Sequence, residues 1–324
     1  MYRGDVVGVV VPAYNEERFV ASVLTTLPAY VDRVYAVDDC SSDGTWREIQ
    51  ACASRANEDD AETVAVDGGE GFGRRVVPIR HSTNRGRGAA VATGYRRALE
   101  DGVDVVAVLD GDGQMDPDVL NRVLDPVVSD EADYVVGNRL DGPASWDGMP
   151  PWRLFGNLLL TLLTRIASGY WHVSDPQNGY TAISADALSE LDLAALYERY
   201  GFLNDVLVRL NVANWRVTNV PMRARYGDEE SGIRYAEFVP QLSWLLLRNF
   251  LWRLGRNYLS GPVHPVAVLY LVGAGASLSG LVRVARATAS RSDPRTGVYA
   301  LIAGVASLLG AMLADARENE DLEP

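Results

Sequence analysis

A chain of 324 residues can bury a full α/β core and still carry an accessory segment. Its formal net charge of −13 leaves no basic stripe to neutralise a nucleic-acid backbone, which argues against DNA or RNA as a partner. All 30 Lys-or-Arg positions are Arg, so the acidic excess fits adaptation to concentrated salt or an Arg-favouring GC-rich genome; a halophilic archaeal origin is the expectation carried forward.

In chain order, Val6–Val11 reads as an apolar strand, Pro12-Ala13-Tyr14-Asn15 as a turn, and Glu16 to Leu27 as a helix. Val34–Val37 is a second strand ending at Asp38-Asp39, and Asp43 or Thr45 can cap the helix through Trp46 and Ile49. The segment from about 57 to 73 is acidic and glycine-rich without periodicity, and is expected to be a surface insertion. Val76–Arg80 is a third strand, Ala89–Leu99 a helix, Val103–Leu109 a fourth strand, and Tyr134–Val136 another. Short strands alternating with helices predict a mostly parallel sheet with its ligand at the carboxyl ends of the strands. The cysteines Cys40 and Cys52 form no metal or disulfide spacing, which fits a reducing compartment. Arg3 and Asp5 lead into a strand rather than a cleavable apolar leader.

The last part changes character. Asn257–Val282 and Thr296–Ala314 carry no charged residue, and each is long enough to cross about 30 Å of hydrocarbon. They predict a membrane hairpin; two buried helices of a soluble protein are the alternative. Arg248, Arg253, Arg256 and Arg317 flank the pair, against Arg283, Arg286, Arg291 and Arg295 between its arms, so the positive-inside count is a tie. Trp152–Trp171 and Phe238–Leu254 mix leucine, terminal tryptophan and arginine, as helices lying in a membrane surface do, although a core helix can share that composition. The expected organisation is a catalytic domain over 1–235, an amphipathic interfacial helix over 236–260, a two-helix hairpin over 261–314 and a polar tail over 315–324.

The densest chemical signal is V-L-D-G-D-G-Q, Val108–Gln114, which places Asp110 and Asp112 at the end of a strand. Such carboxylates can converge on one magnesium or manganese ion, and that ion can neutralise a diphosphate leaving group. An isolated D-x-D is more often a solvated loop, and a calcium loop fits poorly because Asn121 stands where a bidentate glutamate belongs. Three further motifs precede it in order: V-V-V-P-A-Y-N-E-E (Val9–Glu17), V-D-D-C-S-S-D-G-T (Val37–Thr45) and N-R-G-R-G-A-A (Asn84–Ala90). V-G-N-R (Val136–Arg139), D-P-Q-N-G-Y (Asp175–Tyr180) and V-P-M-R-A-R-Y-G-D-E-E-S-G-I (Val220–Ile233) follow it.

Together these motifs resemble glycosyltransferase family 2, and within it the dolichyl- and polyprenyl-phosphate sugar transferases. The resemblance implies a GT-A fold, Rossmann-like with a mostly parallel sheet. It implies an inverting transfer of a hexose from a UDP- or GDP-sugar to dolichyl phosphate, on the cytoplasmic face of the cell membrane, feeding N-linked glycan assembly on surface glycoproteins. Pro12, Tyr14, Glu16 and Asp39 would hold the nucleoside, with Arg87 and Asp110 near the phosphates and Gly86 and Gly88 allowing close backbone approach. Asp110, Asp112 and Gln114 match the metal and diphosphate motif, with Mg²⁺ or Mn²⁺ as the implied cofactor. Arg139, Arg153, Asn157 and Arg225 fall where the family groups its residues around the acceptor phosphate and departing diphosphate; Asp112, Arg139 and Arg225 are thereby expected to be catalytic. Asp175 and Asn178 would shape the sugar pocket. Gly232 departs from the pattern, since relatives often carry Lys after Ser231, and Arg234 is the candidate substitute.

An acceptor phosphate is already ionised and needs little general-base help. A sugar hydroxyl on a glycan-charged lipid would need a base, and Asp205 in F-L-N-D (Phe202–Asp205) is then the candidate, against a plain helix-side ion pair. A membrane-tethered scaffold that has lost turnover is the alternative of a different class, disfavoured by the intact acidic and arginine motifs. The expected partners are therefore a nucleotide sugar, dolichyl phosphate and membrane lipid, with a homo-oligomer possible in this family.

Overall fold

The computed structural model describes residues 1–67, 75–139, 151–222 and 235–324, with side chains over 1–58, 75–139, 155–222 and 238–324. Arg225, the stretch 226–234 and the side chain of Arg153 lie outside the described residues.

Seven strands form one sheet: β1 (Val7–Ala13), β2 (Arg33–Asp38), β3 (Val76–Arg80), β4 (Val105–Val108), β5 (Tyr134–Asn138), β6 (Thr181–Ser184) and β7 (Val217–Pro221). Their spatial order is β3-β2-β1-β4-β6-β5-β7. All pairings are parallel except those of β6, which runs antiparallel between β4 and β5. Helices α1 (Val20–Thr26), α2 (Thr45–Asp67), α3 (Arg87–Glu100), α4 (Leu120–Val128), α5 (Pro151–Ser168), α6 (Ala185–Glu190), α7 (Phe202–Val212), α8 (Tyr235–Tyr258), α9 (Pro265–Ser290) and α10 (Arg295–Glu318) complete the order.

Strands β1, β2, β4 and β5 are buried on both faces, which favours continuous Val-rich runs over alternation, whereas the edge strands β3 and β7 are buried only at their first residue. One side of β1 (Val7, Val9, Val11) packs on α1, α2 and α4 through Val20, Ile49 and Leu124; the other (Val10) packs on α3, α6 and α7 through Val91, Leu188 and Val206. The chain builds outward from β1 through β2 to β3, then returns to place β4 on β1's other side. That reversal opens a crevice at the carboxyl ends of β1 and β4.

Two sequence expectations need correction. The segment 57–73 is not an irregular insertion throughout, because α2 continues unbroken to Asp67. Its Ala, Glu and Asp residues are helix-compatible and contain no Gly or Pro before Gly68, so the helix extends past its buried turns at Ile49, Cys52 and Ala53 without an apolar period. The polar tail is not a free tail: α10 runs on to Glu318, Asp315 and Asn319 are buried, and Glu323 accepts from the backbone N–H groups of Trp171 (2.7 Å) and His172 (2.6 Å).

Helices α9 and α10 pair closely because a Cβ on Gly280 would lie 2.6 Å from the Leu301 nitrogen, so only hydrogen fits there. Both are long and apolar enough to cross a membrane, and their outward leucines, such as Leu278 (65 % exposed) and Leu313 (68 %), face away from protein. A soluble core helix would bury them. Helix α5 is inverted in the same sense. Phe155, Leu158, Leu159, Leu162 and Leu163 are exposed at i, i+3, i+4, i+7, i+8 spacing, while Thr161, Thr164 and Ser168 are buried. The exposed Val239, Trp244, Leu247 and Leu251 of α8 add to this outward apolar surface.

Arg253 of α8 and Asp315 of α10 are each fully buried and paired at 2.9 and 2.7 Å, which ties the hairpin to the catalytic part. Removing one partner strands a buried charge, so Arg253→Met is expected to cost about 3–5 kcal/mol, whereas Arg253→Met with Asp315→Leu should regain most of that loss. Denaturant unfolding of the three detergent-solubilised variants measures it; equal stability of the single and double variants would show that the pair does not carry this junction.

Candidate active site

Four loops leave the carboxyl ends of β1, β2, β3 and β4 and meet over the crevice. The first two are stitched together. Asn15, in the left-handed region at φ +58°, donates its backbone N–H to the Ser41 hydroxyl (2.9 Å), and its side chain accepts from the Ser42 N–H (2.9 Å). The Glu16 N–H donates to the Thr45 hydroxyl (2.7 Å). Asp43 accepts from the Thr45 N–H and hydroxyl and from the Glu17 N–H, which more than offset partial desolvation and hold its pKa below the usual carboxylate value. Asp38 is fully buried, accepting from the Ser41 N–H and pairing with Arg80 at 2.9 Å; it braces the loop.

The acidic loop after β4 is fixed to β1 by hydrogen bonds from the Leu109 N–H to Val10 O (3.0 Å) and from the Gly111 N–H to Pro12 O (3.1 Å). Asp112 accepts from the Gln114 N–H (2.9 Å). Arg87, at the first turn of α3, donates through Nε to Asp110 Oδ1 at 2.7 Å and through Nη2 to Gly179 O. Burial opposes the guanidinium's charge, but the Asp110 carboxylate outweighs it and raises the Arg87 pKa.

These loops line two adjoining hollows of about 490 and 310 Å³ that share Arg87, Asp110, Asp112, Arg199 and Tyr200. The larger gathers Pro12, Tyr14, Glu16 and Asp39, the residues expected at the nucleoside, and Tyr14 presents a half-exposed ring. The smaller gathers Gln114, Arg139 and Asn178 with the acidic pair. Arg139 is held by the buried Asp175, donating through Nε at 2.7 Å and Nη2 at 3.2 Å, and Asn178 donates to Gly137 O (2.6 Å). Asn157 lies on α5, outside the residues that line either hollow.

Asp205 is also outside the cleft. It is 1 % exposed on α7, where it accepts from the Tyr197 N–H (3.0 Å), Arg209 Nε (3.1 Å) and Asn249 Nδ2 (2.8 Å). Those bonds make it a brace between α7, α8 and the loop before Gly201. Gly86 lines the larger hollow, whereas Gly88 lies outside both. A Cβ on Gly86 would lie 2.7 Å from Glu198 O, and one on Gly88 2.5 Å from Tyr197 O, so both make room for the 197–198 backbone. That approach brings Arg199 and Tyr200 into the cleft, two residues the sequence reading missed. The glycine at 201, with φ +106° before α7, is the one local sign of a tight approach there.

No group of three or more His, Cys, Asp or Glu side chains that could hold a metal occurs among the described residues. The donor set is instead the Asp110–Asp112 pair beside Gln114, all lining the smaller hollow. Two carboxylates suit Mg²⁺ or Mn²⁺, ions that complete their shells with water and substrate phosphate oxygens. The arrangement therefore fits a cation that arrives with a diphosphate.

Residues 8–192 match the family described as glycosyl transferase family 2, and the chain belongs to that family. Over 220 residues it is 31 % identical to the UDP-N-acetylglucosamine–dolichyl-phosphate N-acetylglucosaminyltransferase of Methanococcus voltae, covering 68 % of this chain and 85 % of that one. It is 32 % identical to the undecaprenyl-phosphate mannosyltransferase of Micrococcus luteus, over 66 % of this chain and 81 % of the relative. The fold is shared with glucosyl-3-phosphoglycerate synthase of Mycobacterium tuberculosis, whose crystal structure holds Mn²⁺, UDP and phosphoglyceric acid; the TM-score is 0.54 at 19 % identity, covering 78 % of this chain and 79 % of that one.

Gly179 tests the electrostatics of the cleft. A Cβ there would press on Arg87 Nη2 and lie 2.7 Å from Asp110 Oδ2, the far ends of two adjustable side chains. Gly179→Ala should therefore displace the Arg87–Asp110 pair without unfolding the domain. Titration with UDP and GDP in the presence of Mg²⁺ is expected to show about tenfold weaker binding of whichever nucleotide the wild type takes, roughly 1.4 kcal/mol, with thermal stability little changed.

Proposed function

We propose that this family 2 glycosyltransferase moves a sugar from a nucleoside diphosphate to dolichyl phosphate at the membrane surface. The observation that carries the reading is the Arg87–Asp110–Asp112 cluster at the β1–β4 crevice, in a chain whose α5 and α8 expose apolar residues and whose last two helices can span a bilayer. The relatives named above, one acting on dolichyl phosphate and one on undecaprenyl phosphate, support this acceptor class. A UDP-sugar is the preferred donor, supported by the name of the Methanococcus voltae relative.

In this mechanism a phosphate oxygen of the acceptor forms a bond to the anomeric carbon as the bond to the nucleoside diphosphate breaks, and the departing diphosphate keeps the electron pair. Inversion follows from this single displacement. Tyr14, Glu16 and Asp39 hold the nucleoside. Arg87 and Arg139 present guanidinium groups to the phosphates, whose geometry their planar forks match. Arg153, Asn157 and Arg225 are assigned to the acceptor phosphate. Asp110, Asp112 and Gln114 would hold a divalent cation that neutralises charge on the leaving group. The catalytic face is placed in the cytoplasm, where nucleotide sugars are made, and the product would feed glycan assembly on surface proteins.

A glycan-charged acceptor would require a base, and Asp205 is buried behind three donors rather than aimed into the cleft. The phosphate acceptor is preferred for that reason. The test supplies the purified protein in molar KCl with dolichyl phosphate and a panel of UDP- and GDP-sugars, with and without EDTA, and reads lipid products by mass spectrometry. One sugar added to dolichyl phosphate, lost with EDTA and lowered at least about 100-fold by Asp112→Asn, is the expected result. Asp205→Asn should keep turnover within about tenfold while lowering stability. Extension of a glycan-charged lipid alone, or loss of turnover by Asp205→Asn with nucleotide binding intact, would overturn the phosphate-acceptor reading.

A further inference from the structure

One buried histidine beside the cleft has no part in the mechanism above. His81 follows β3, its side chain is 8 % exposed, and its two ring nitrogens meet two different elements. Nδ1 lies 2.7 Å from Asp39 Oδ1 on the loop after β2, and Nε2 lies 2.9 Å from the Thr93 hydroxyl on α3. Asp39 as a carboxylate has no proton to give, so Nδ1 is the donor to it, and the Thr93 hydroxyl, itself 2.9 Å from Ala89 O, fixes the far nitrogen. The ring is thereby held at both ends.

The surrounding charges do not replace it. Asp38 is paired with Arg80, Arg85 with Glu198, and Arg87 with Asp110, while the exposed Arg96 lines a small hollow on the outer side of Thr93. Asp39 itself accepts from the Arg85 N–H (2.9 Å) on Oδ1 and from the Gly86 N–H (2.7 Å) on Oδ2. It thereby fixes the turn that sets Gly86 at φ +102° and starts α3 at Arg87. A carboxylate has about four lone-pair sites, and these three bonds leave one for a ligand.

We propose that His81 is a positioning residue for the nucleotide: clamped between Asp39 and Thr93, its ring fixes the Asp39 carboxylate at the wall of the cleft and, through Asp39, the 84–87 turn that aims Arg87. The effect acts on donor binding rather than on the displacement step.

This inference rests on the nucleotide-sugar reading of the cleft. The test measures UDP and GDP binding by titration calorimetry, and donor KM and kcat, for wild type, His81→Ala, His81→Asn, Thr93→Val and Thr93→Ser. His81→Ala should raise donor KM about tenfold and change kcat less than about threefold, and His81→Asn, whose amide can still donate to Asp39, should recover part of that affinity. Thr93→Val, which removes the partner of Nε2, should weaken donor binding in the same direction, and Thr93→Ser should restore it. If the wild type binds neither nucleotide, the reading of the cleft fails and this assignment with it. If the wild type binds but His81→Ala keeps the wild-type KM or lowers kcat as much as it raises KM, or Thr93→Val behaves as wild type, the His81 assignment alone is overturned.

Discussion

The buried pair between Arg253 and Asp315 is the constraint on which the arrangement of the molecule depends. Neither group has solvent to fall back on, so each must be met in full. Arg253 donates to Asp315, Ala167 O and Ile166 O, and Asp315 also accepts from the hydroxyls of Tyr258 and Tyr270. The carbonyls belong to the last turn of α5, which otherwise ends with unpaired acceptors. One guanidinium therefore joins the exposed-leucine helix, the helix packed against it and both arms of the hairpin. Asn211, Asn257 and Asn319 extend the network to α7 at 2.7 and 3.0 Å. An apolar contact would hold these helices together as strongly but would let them slide; a polar network of this kind has one satisfied geometry.

A different electrostatic logic governs the cleft. Arg87 and Asp110 are partly exposed and satisfy each other. In the proposed reaction a diphosphate would take the guanidinium and a cation the carboxylate, exchanging one ion pair for two. The pair is also held open to the cleft by the absence of a side chain at Gly179. By contrast Asp38 and Asp175, equally acidic in sequence, are buried with fixed partners and brace the loops that carry the exposed groups.

The division between bracing and presenting groups is what the sequence did not disclose. The four motif loops and the parallel strands β1 to β5 were legible, because buried Val-rich runs and the residues after them are local signals. Strands β6 and β7 were not: Thr181–Ser184 is four residues long and Val217–Pro221 holds Thr, Asn and Pro, so neither carries a usable period. Asp205 and Asp39 look alike in sequence, yet one sits behind Asn249 and the other lines the cleft, a difference made by α8 packing from more than 40 residues away. Gly86 and Gly88 announced a close approach correctly but not its partner, since Tyr197 and Glu198 arrive from the loop before α7, distant in sequence. Tertiary partners of this kind have no local trace.

The inverted face of α5 follows from the same packing. Polar residues on the inner face of α5 are used up by the protein: Thr164 accepts from Asn204 (2.7 Å) and Thr161 donates to Ser174 O (3.2 Å). That leaves the leucines outside, where each would gain roughly 1.5 kcal/mol or more on leaving water. A soluble protein would select against such a surface. On the proposed function, this surface beside a hairpin anchored by Arg253 would rest on lipid and hold the cleft near the plane where a phosphate on a polyprenyl chain lies. Apolar residues facing out of α5, polar residues facing in and a buried charge at the junction then answer one requirement of that proposal: a water-soluble donor and a lipid-bound acceptor must meet in the same site.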